Sequence, residues 1–237
     1  MLDIIAFDAD DTLWHTESLY AETQAKFARL LEPYQPAETI AAVLHATEMR
    51  NLGDLGYGIK AFTLSMVEAA IELSGGRISG GEMGEVLALG KAMLKAPVQL
   101  LDHAEAAVAQ LAQTHTLMLM TKGDLLDQES KIERSGLARH FRYIEVVSDK
   151  TVASYSAILS KYQVPPKHFL MVGNSLRSDI LPVVALGGAA VHIPYHITWA
   201  HEAVSPSPED EGKYFELEHL GLLPAWVEKW SAGHSQA

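Results

Sequence analysis

Three carboxylates lie close together near the start of the chain, in the segment FDADDT at residues 7–12. Asp8 and Asp10 are two residues apart and Asp11 follows directly, where the apolar run 2–7 gives way to polar residues. Open α/β folds place their chemistry at the ends of parallel strands. Carboxylates crowded there repel one another and lose solvation, so the arrangement usually needs a cation or another function to balance it. The segment therefore indicates a cation-dependent site, with capping of the next helix by Asp10 and Asp11 as the alternative.

Polar residues suited to phosphoryl transfer also follow three later apolar runs: Thr121, Lys122, Gly123, Lys150, Asn174 and Asp179. In a parallel sheet all of them emerge along one edge. A carboxylate can be the nucleophile, a hydroxyl and the N–H groups of a glycine turn can hold phosphate oxygens, and a lysine spreads positive charge over the transferring group. The expected cation is Mg²⁺, which keeps waters and takes few protein ligands.

Short apolar runs at residues 2–7, 116–120, 143–147, 169–172 and 189–193 predict strands buried on both faces. Helix-like segments lie between or beside the later runs, at 102–113, 124–135, 151–162 and 178–186. Strands that alternate with helices predict a parallel sheet covered by helices, which is an α/β architecture. Near the C-terminus, a polar loop is predicted at 205–212 and a disordered end at 231–237.

The region 16–96 interrupts this alternation, because it has no convincing strand and several segments of helical period. Helices inserted after the first strand predict an all-helical cap on an α/β core. The expected domains are a core formed by residues 1–15 and 97–237 and a cap formed by residues 16–96.

Four segments in this order resemble the motifs of the haloacid dehalogenase-like (HAD) hydrolase superfamily: FDADDT, MTKG, the segment around Lys150, and VGNSLRSDI. The resemblance implies a Rossmann-like three-layer core with a helical cap. It makes Asp8 the nucleophile that forms an aspartyl-phosphate and Asp10 the general acid and base. Thr121 would hold the phosphoryl group, and Lys150 would hold Asp8 and the phosphate in register. Mg²⁺ would be bound by the Asp8 side chain, the Asp10 backbone carbonyl and the fourth motif.

Two positions depart from the commonest form of the family. Asp11 stands where glycine is more frequent, and its expected role is to cap the following turn. Asn174 stands where the family usually has a metal-binding aspartate, and its amide oxygen brings no charge. We therefore expect Asp179 to bind the metal directly or through water, with a lower affinity for Mg²⁺ than in the aspartate form. Lys122 and Gly123 are expected to bind substrate, although a lysine beside a glycine turn can equally face solvent.

The second aspartate of FDADDT helps to choose among reactions. Dehalogenases of this superfamily need no acid for a halide leaving group and lack that residue, whereas phosphatases and phosphomutases need it. The sequence therefore predicts a Mg²⁺-dependent phosphatase of a small phosphorylated metabolite, with a cap that closes over the site. The alternatives are a phosphomutase and a catalytically weak HAD-fold protein that binds a metabolite or a partner. A receiver-like signalling domain fits poorly, because receivers are shorter and lack a large insertion after the first strand.

Composition limits the partners of the chain. Its 237 residues carry a formal net charge of −12, which disfavours nucleic acid or an anionic membrane as the main partner. Cysteine is absent, and the N-terminal segment has no basic region followed by a long apolar run. We expect a cytoplasmic protein, monomeric or homodimeric, whose partner is its small phosphorylated substrate.

Overall fold

The computed structural model describes residues 2–204, 210 and 212–234. The polar loop predicted at 205–212 therefore lies almost wholly outside the described residues, as do residues 235–237. Residues 231–234 continue the last helix, so the disorder predicted there is wrong. The helix persists because Leu223 and Val227 anchor it in the core, where each is at most 1% exposed.

Six strands form one parallel sheet in the order β3-β2-β1-β4-β5-β6. Their bounds are β1 Ile4–Phe7, β2 Thr116–Lys122, β3 Tyr143–Val147, β4 Phe169–Gly173, β5 Ala189–His192 and β6 Phe215–Glu216. The five predicted strands are confirmed, each to within two residues. The sixth was not predicted, since two exposed residues are too few to leave a hydrophobic pattern.

The described helices are α1 Glu17–Leu31, α2 Ala37–Leu55, α3 Ile59–Ser74, α4 Gly80–Lys95, α5 Ala104–Leu111, α6 Leu125–Arg134, α7 Val152–Tyr162, α8 Leu181–Ala185 and α9 Leu223–His234. The helix predicted at 178–186 differs in detail, because a π-helical turn at Leu176–Ile180 precedes α8. Ser175 caps this turn by accepting a hydrogen bond from the Ser178 N–H at 3.0 Å. The π-helical turn therefore lies between β4 and α8.

Alternate residues of each central strand belong to two separate apolar clusters. In β1, Ile5 and Phe7 pack in one cluster while Ile4 and Ala6 pack in the other, and all four are at most 3% exposed. Because successive side chains point to opposite faces of a sheet, both faces are covered. The predicted α/β fold with a Rossmann-like three-layer core is confirmed.

The chain divides into two compact units. One holds the sheet and comprises Met1–Glu17, Val98–Lys122 and the chain from Ser130 onward, and the other comprises Ser18–Pro97 and Gly123–Glu129. The second unit contains helices and no strand among its described residues, and it has an apolar core of its own. That core includes Phe27, Leu31, Ile40, Met66 and Val86, each at most 1% exposed. Within the described ranges, no helix is both long and apolar enough to cross a membrane.

Candidate active site

The predicted site residues of the sheet unit lie where its strands end. Asp8 directly follows β1, which lies between β2 and β4 in the sheet. Thr121 and Lys122 are the last residues of β2, Lys150 lies between β3 and α7, and Asn174 directly follows β4. Because all these strands are parallel, the residues share the carboxyl edge of the sheet. Open α/β sheets bind ligands at this edge.

A buried chain of charges joins three of these residues. The Lys150 ammonium forms ion pairs with the Asp8 and Asp179 carboxylates, and its distance to Asp179 Oδ1 is 2.7 Å. The side chains of Lys150 and Asp179 are at most 2% exposed, and that of Asp8 is 9% exposed. Asp179 is fixed in turn, since its Oδ2 accepts a hydrogen bond from the Ser175 N–H at 3.0 Å. One lysine therefore balances two buried carboxylates, which leaves a net negative charge.

Burial and mutual attraction shift the pKa values of this chain. Burial raises the pKa of Asp8 to about 7, although Lys150 opposes the rise. Burial alone would lower the pKa of Lys150, but the Asp179 and Asp8 carboxylates outweigh it and leave that pKa above its ordinary value. Lys150 is therefore a fixed cation. Additional positive charge beside Asp8 would favour its ionised, nucleophilic form.

The Thr12 hydroxyl lies between the side chains of Asp8 and Asn174. It lies 3.0 Å from Asp8 Oδ2 and 3.3 Å from Asn174 Oδ1. Two oxygens that can bind a hard cation, Asp8 Oδ2 and Asn174 Oδ1, thus both lie next to the Thr12 hydroxyl. Lys150 contacts the other carboxylate oxygen of Asp8. Mg²⁺ prefers such oxygens and needs few of them from the protein. The residues present therefore fit a magnesium ion held by Asp8 and Asn174.

The acidic side chains do not form a larger metal cluster. Across the described residues, no three His, Cys, Asp or Glu side chains are grouped to hold a metal. Both carboxylate oxygens of Asp179 already have protein partners, namely Lys150 and the Ser175 N–H. In this arrangement Asp179 orients the lysine, and its predicted contact with a metal stays a prediction.

Asp10 lies in a polar setting that the sequence did not indicate. Its Oδ1 accepts hydrogen bonds from Trp14 Nε1, Thr16 Oγ1 and Lys131 Nζ, each at 2.7 Å. Lys131 also reaches Oδ2 at 2.9 Å. Lys131 belongs to α6 and to none of the four motifs, so no spacing pattern links it to Asp10. These contacts orient a carboxylate whose side chain is 25% exposed.

Asp11 has the local role that was predicted for it. Its carboxylate accepts hydrogen bonds from the N–H groups of Thr16 and Glu17 at 2.8–3.1 Å, which caps the start of α1. Its φ of 63° is left-handed, a conformation that glycine adopts freely and aspartate tolerates better than most residues. The capping role is confirmed. The same φ explains why glycine suits this position.

The candidate substrate ligands at the end of β2 differ in their surroundings. Thr121 is 1% exposed, which places its hydroxyl in the buried end of β2. Lys122 forms an ion pair with Glu202 and donates a hydrogen bond to Ser178 Oγ at 2.9 Å. Gly123 follows with a φ of 131°, which side chains rarely adopt. Lys122 is thus a paired cation and does not extend into solvent.

A histidine fixes the backbone beside the amide ligand candidate. His192 Nε2 lies 3.0 Å from the Asn174 carbonyl oxygen, and its Nδ1 lies 2.9 Å from Glu216 Oε2. His192 therefore has a structural role, because it links the backbone after β4 to β6. This link also explains how the short strand β6, which contains Glu216, contributes to the region.

Sequence reasoning did not predict several contacts of the predicted site residues, which are made by Thr12, Trp14, Thr16, Lys131, Ser175, Ser178 and Glu202. Three lie within or just beyond the first motif, and the two serines lie within the fourth. Inspecting the polar residues within the motifs and just after the first one would have found these five. Lys131 and Glu202 reach the edge only through tertiary folding, so the sequence carries no local signal for them.

Comparison with known proteins gives one family match and many structural matches. The family model for haloacid dehalogenase-like hydrolases matches residues 2–187. A haloacid dehalogenase-like family hydrolase from Xanthomonas campestris has 39% sequence identity and a TM-score of 0.88, over 99% of this chain and 94% of that one. No curated protein sequence matches significantly.

More distant solved structures share the fold but differ in their names. A 2-haloacid dehalogenase from Pseudomonas syringae has 22% identity and a TM-score of 0.62, over 97% of this chain and all of that one. A predicted phosphoglycolate phosphatase from Haemophilus somnus has 16% identity and a TM-score of 0.63, over 95% of this chain and 98% of that one. Carbon–halogen and phosphate-ester chemistry are therefore both represented among similar folds.

Proposed function

Because the chain belongs to the haloacid dehalogenase-like hydrolase family, we propose that it is a Mg²⁺-dependent phosphatase of small phosphorylated metabolites. The observation that carries the proposal is the arrangement around Asp8. This buried carboxylate is paired with a fixed lysine on one side and faces an amide oxygen on the other. A second oriented carboxylate, Asp10, lies two residues further along the chain.

In the proposed reaction, an Asp8 carboxylate oxygen attacks phosphorus and the bond to the leaving oxygen breaks. Asp10 gives its proton to that oxygen, which leaves as an alcohol, and an aspartyl-phosphate remains. Asp10 then takes a proton from water, whose oxygen attacks phosphorus and releases free Asp8 and inorganic phosphate.

The other candidate residues hold charge and position. Lys150 keeps Asp8 oriented and neutralises charge on the phosphoryl group, and Asp179 fixes the lysine. Thr121 offers the phosphoryl oxygens a buried hydroxyl at the end of β2. Asp8, Asn174 and the Asp10 backbone carbonyl would hold Mg²⁺. When bound, the ion supplies positive charge that draws the phosphate to Asp8 and stabilises the transition state.

Dehalogenation of a haloacid is the main alternative reaction, because proteins of similar fold include haloacid dehalogenases. Asp10 argues against it, since a halide leaves without a proton and needs no acid. The deciding assay compares phosphate release from 4-nitrophenyl phosphate with chloride release from 2-chloropropionate, with Mg²⁺ and with a chelator. We expect Mg²⁺-dependent phosphate release that Asp8→Asn abolishes. Chloride release, retained activity in Asp8→Asn, or no turnover at any Mg²⁺ concentration would overturn the proposal, the last favouring a binding protein.

The amide at Asn174 gives the metal proposal a test of its own. Asn174→Asp adds a negative charge beside the ion, so we expect the Mg²⁺ concentration for half-maximal activity to fall by about tenfold, equivalent to about 1.4 kcal/mol. Titration of activity against Mg²⁺ measures this change. An unchanged or higher requirement for Mg²⁺ would count against ligation by residue 174.

A further inference from the structure

Glu202 lies beyond β5, outside the four motifs, yet its carboxylate is directed into the sheet unit. Only 11% of its side chain is exposed. One carboxylate oxygen is paired with the Lys122 ammonium, and the other accepts hydrogen bonds from Ser175 Oγ at 2.5 Å and Ser178 Oγ at 2.6 Å. Three donors from two separate strand ends thus converge on one carboxylate.

The donors also support one another. Lys122 donates a hydrogen bond to Ser178 Oγ at 2.9 Å, and the Ser178 N–H donates one to Ser175 Oγ at 3.0 Å. Burial raises the pKa of Glu202, but Lys122 and the hydrogen bonds outweigh it and lower that pKa to about 2. The three side chains therefore form a site that stabilises a carboxylate in its ionised form. We call Lys122, Ser175 and Ser178 the second anion site.

Each residue of the second anion site is a sequence neighbour of a residue of the proposed reaction centre. Lys122 directly follows Thr121, Ser175 directly follows Asn174, and Ser178 directly precedes Asp179. Adjacent Cα atoms are only about 3.8 Å apart. A chain of polar contacts also joins the two sites: the Ser175 N–H donates a hydrogen bond to Asp179 Oδ2, and Asp179 Oδ1 is paired with the Lys150 ammonium, which is also paired with Asp8. We infer that an anionic group at the second anion site and a phosphate at Asp8 belong to the same small molecule.

Glu202 is supplied by a segment without regular secondary structure. It lies in a turn in which its N–H donates a hydrogen bond to the Trp199 carbonyl at 2.8 Å, and Arg177 holds the His201 carbonyl at 2.7 Å. No strand ladder includes the residue. Its side chain can therefore leave the second anion site without breaking any hydrogen bond of the sheet.

We propose that the second anion site binds a carboxylate of the substrate and that Glu202 occupies the site until substrate displaces it. The inference rests on the proposed function, which it narrows to phosphate esters of small carboxylic acids. Substrate binding exchanges one carboxylate for another at the same three donors. Phosphate esters without a carboxylate leave Glu202 in place and gain nothing from these donors.

The first arm of the test needs no turnover. We expect Glu202→Ala to bind malonate at least about tenfold more tightly than the wild type in calorimetric titration of the full chain, because the internal competitor is gone. Adding Lys122→Met to Glu202→Ala should remove that gain. Glu218→Ala is the matched control, since it removes the same charge from an exposed position. Equal malonate affinity in the wild type and Glu202→Ala would overturn the inference.

The second arm tests the substrate class with two esters that differ only in a carboxylate, phosphoglycolate and ethyl phosphate. We expect wild-type kcat/KM to favour phosphoglycolate by at least about tenfold and Lys122→Met to remove the preference. Equal values for the two esters would overturn the assigned substrate class. If Glu202→Ala binds malonate but neither ester is hydrolysed, the proposed function fails while the anion site stands. Should Glu202→Ala not fold, Glu202→Gln gives the same comparison with the side-chain volume retained.

Discussion

At the scale of single residues, the site depends on carboxylates that differ in their partners. Asp8 is paired with a buried lysine, Asp10 accepts hydrogen bonds from three side chains, and Asp11 binds the backbone at the start of α1. These partners separate the roles of three acidic residues within four positions. In the proposed reaction the nucleophile is Asp8, whose side chain is 9% exposed, and the proton carrier is Asp10, whose side chain is 25% exposed. Asp11 caps the start of α1.

The role of Asp10 predicts a dependence on the leaving group. Asp10→Asn should lower kcat/KM for alkyl phosphates by about 10²–10⁴, because their oxygen needs a proton to leave. In the same variant kcat/KM for 4-nitrophenyl phosphate should fall far less, since nitrophenolate leaves unprotonated, whereas its kcat falls because water is no longer activated. Steady-state kinetics on both esters measures the difference, with Asp11→Asn as the control on the neighbouring carboxylate. Equal losses on both substrates would contradict the assignment of Asp10 as the acid.

The candidate residues were predictable where they follow strands. Asp8, Thr121 and Asn174 each lie in or directly after an apolar run, so their shared edge follows from the parallel sheet. The contacts of Lys131 and Glu202 were not predictable, because each residue reaches the edge from an element whose placement depends on packing of the whole unit. The ion pair between Lys122 and Glu202 could not be predicted from the sequence for the same reason.

At the scale of elements, β1 is fixed by hydrogen-bonded pairing with β2 on one side and β4 on the other. Phe7 pairs with Leu119 of β2 and Val172 of β4, and the Asp8 N–H donates a hydrogen bond to the Val172 carbonyl at 2.9 Å. The backbone of the nucleophile candidate is thus fixed up to its own residue. Continuous apolar runs made these strands easy to predict, whereas the π-helical turn after β4 depends on side-chain hydrogen bonds that hydrophobic patterning does not reveal.

The turn between β1 and α1 predicts different outcomes for two substitutions of Asp11. Asp11→Gly loses the helix cap but keeps the left-handed backbone at low cost, so we expect a loss of about 1 kcal/mol in unfolding free energy. Asp11→Ala loses the cap and adds about 1–2 kcal/mol of backbone strain. Urea unfolding of the two variants measures the gap. Equal stability of the two would show that the φ of 63° carries no cost.

At the scale of the whole molecule, the net negative charge and the burial of carboxyl groups both lower the unfolding free energy as the pH rises toward neutral. The chain has a formal net charge of −12, and burial raises the pKa values of Asp8, Asp11 and Glu48 each to about 7. A carboxyl with a raised pKa in the folded state stabilises the fold below its unfolded pKa, and this stabilisation is lost as the pH rises through the folded value. Near neutral pH, the fold therefore holds carboxylates at a cost in stability.

We accordingly expect the unfolding free energy to fall between pH 5.5 and pH 8 by roughly 2 kcal/mol for each of these carboxyls when a chelator removes Mg²⁺. Burial lowers the pKa values of His115 and His201, which opposes this trend more weakly. Urea unfolding at the two pH values gives the change, and Asp11→Asn should reduce it. Stability that is constant or rises over this interval would contradict the assigned burial of these carboxyl groups.

The most direct test of the central claim is a search for phosphate on Asp8. In Asp10→Asn, nitrophenolate still leaves but water is no longer activated, so the aspartyl-phosphate should accumulate. Rapid mixing with 4-nitrophenyl phosphate and Mg²⁺ should give a burst of one nitrophenolate per active site, with mass spectrometry locating one phosphoryl group on Asp8. Linear release of nitrophenolate from the first turnover, with Asp8 unmodified, would contradict the account.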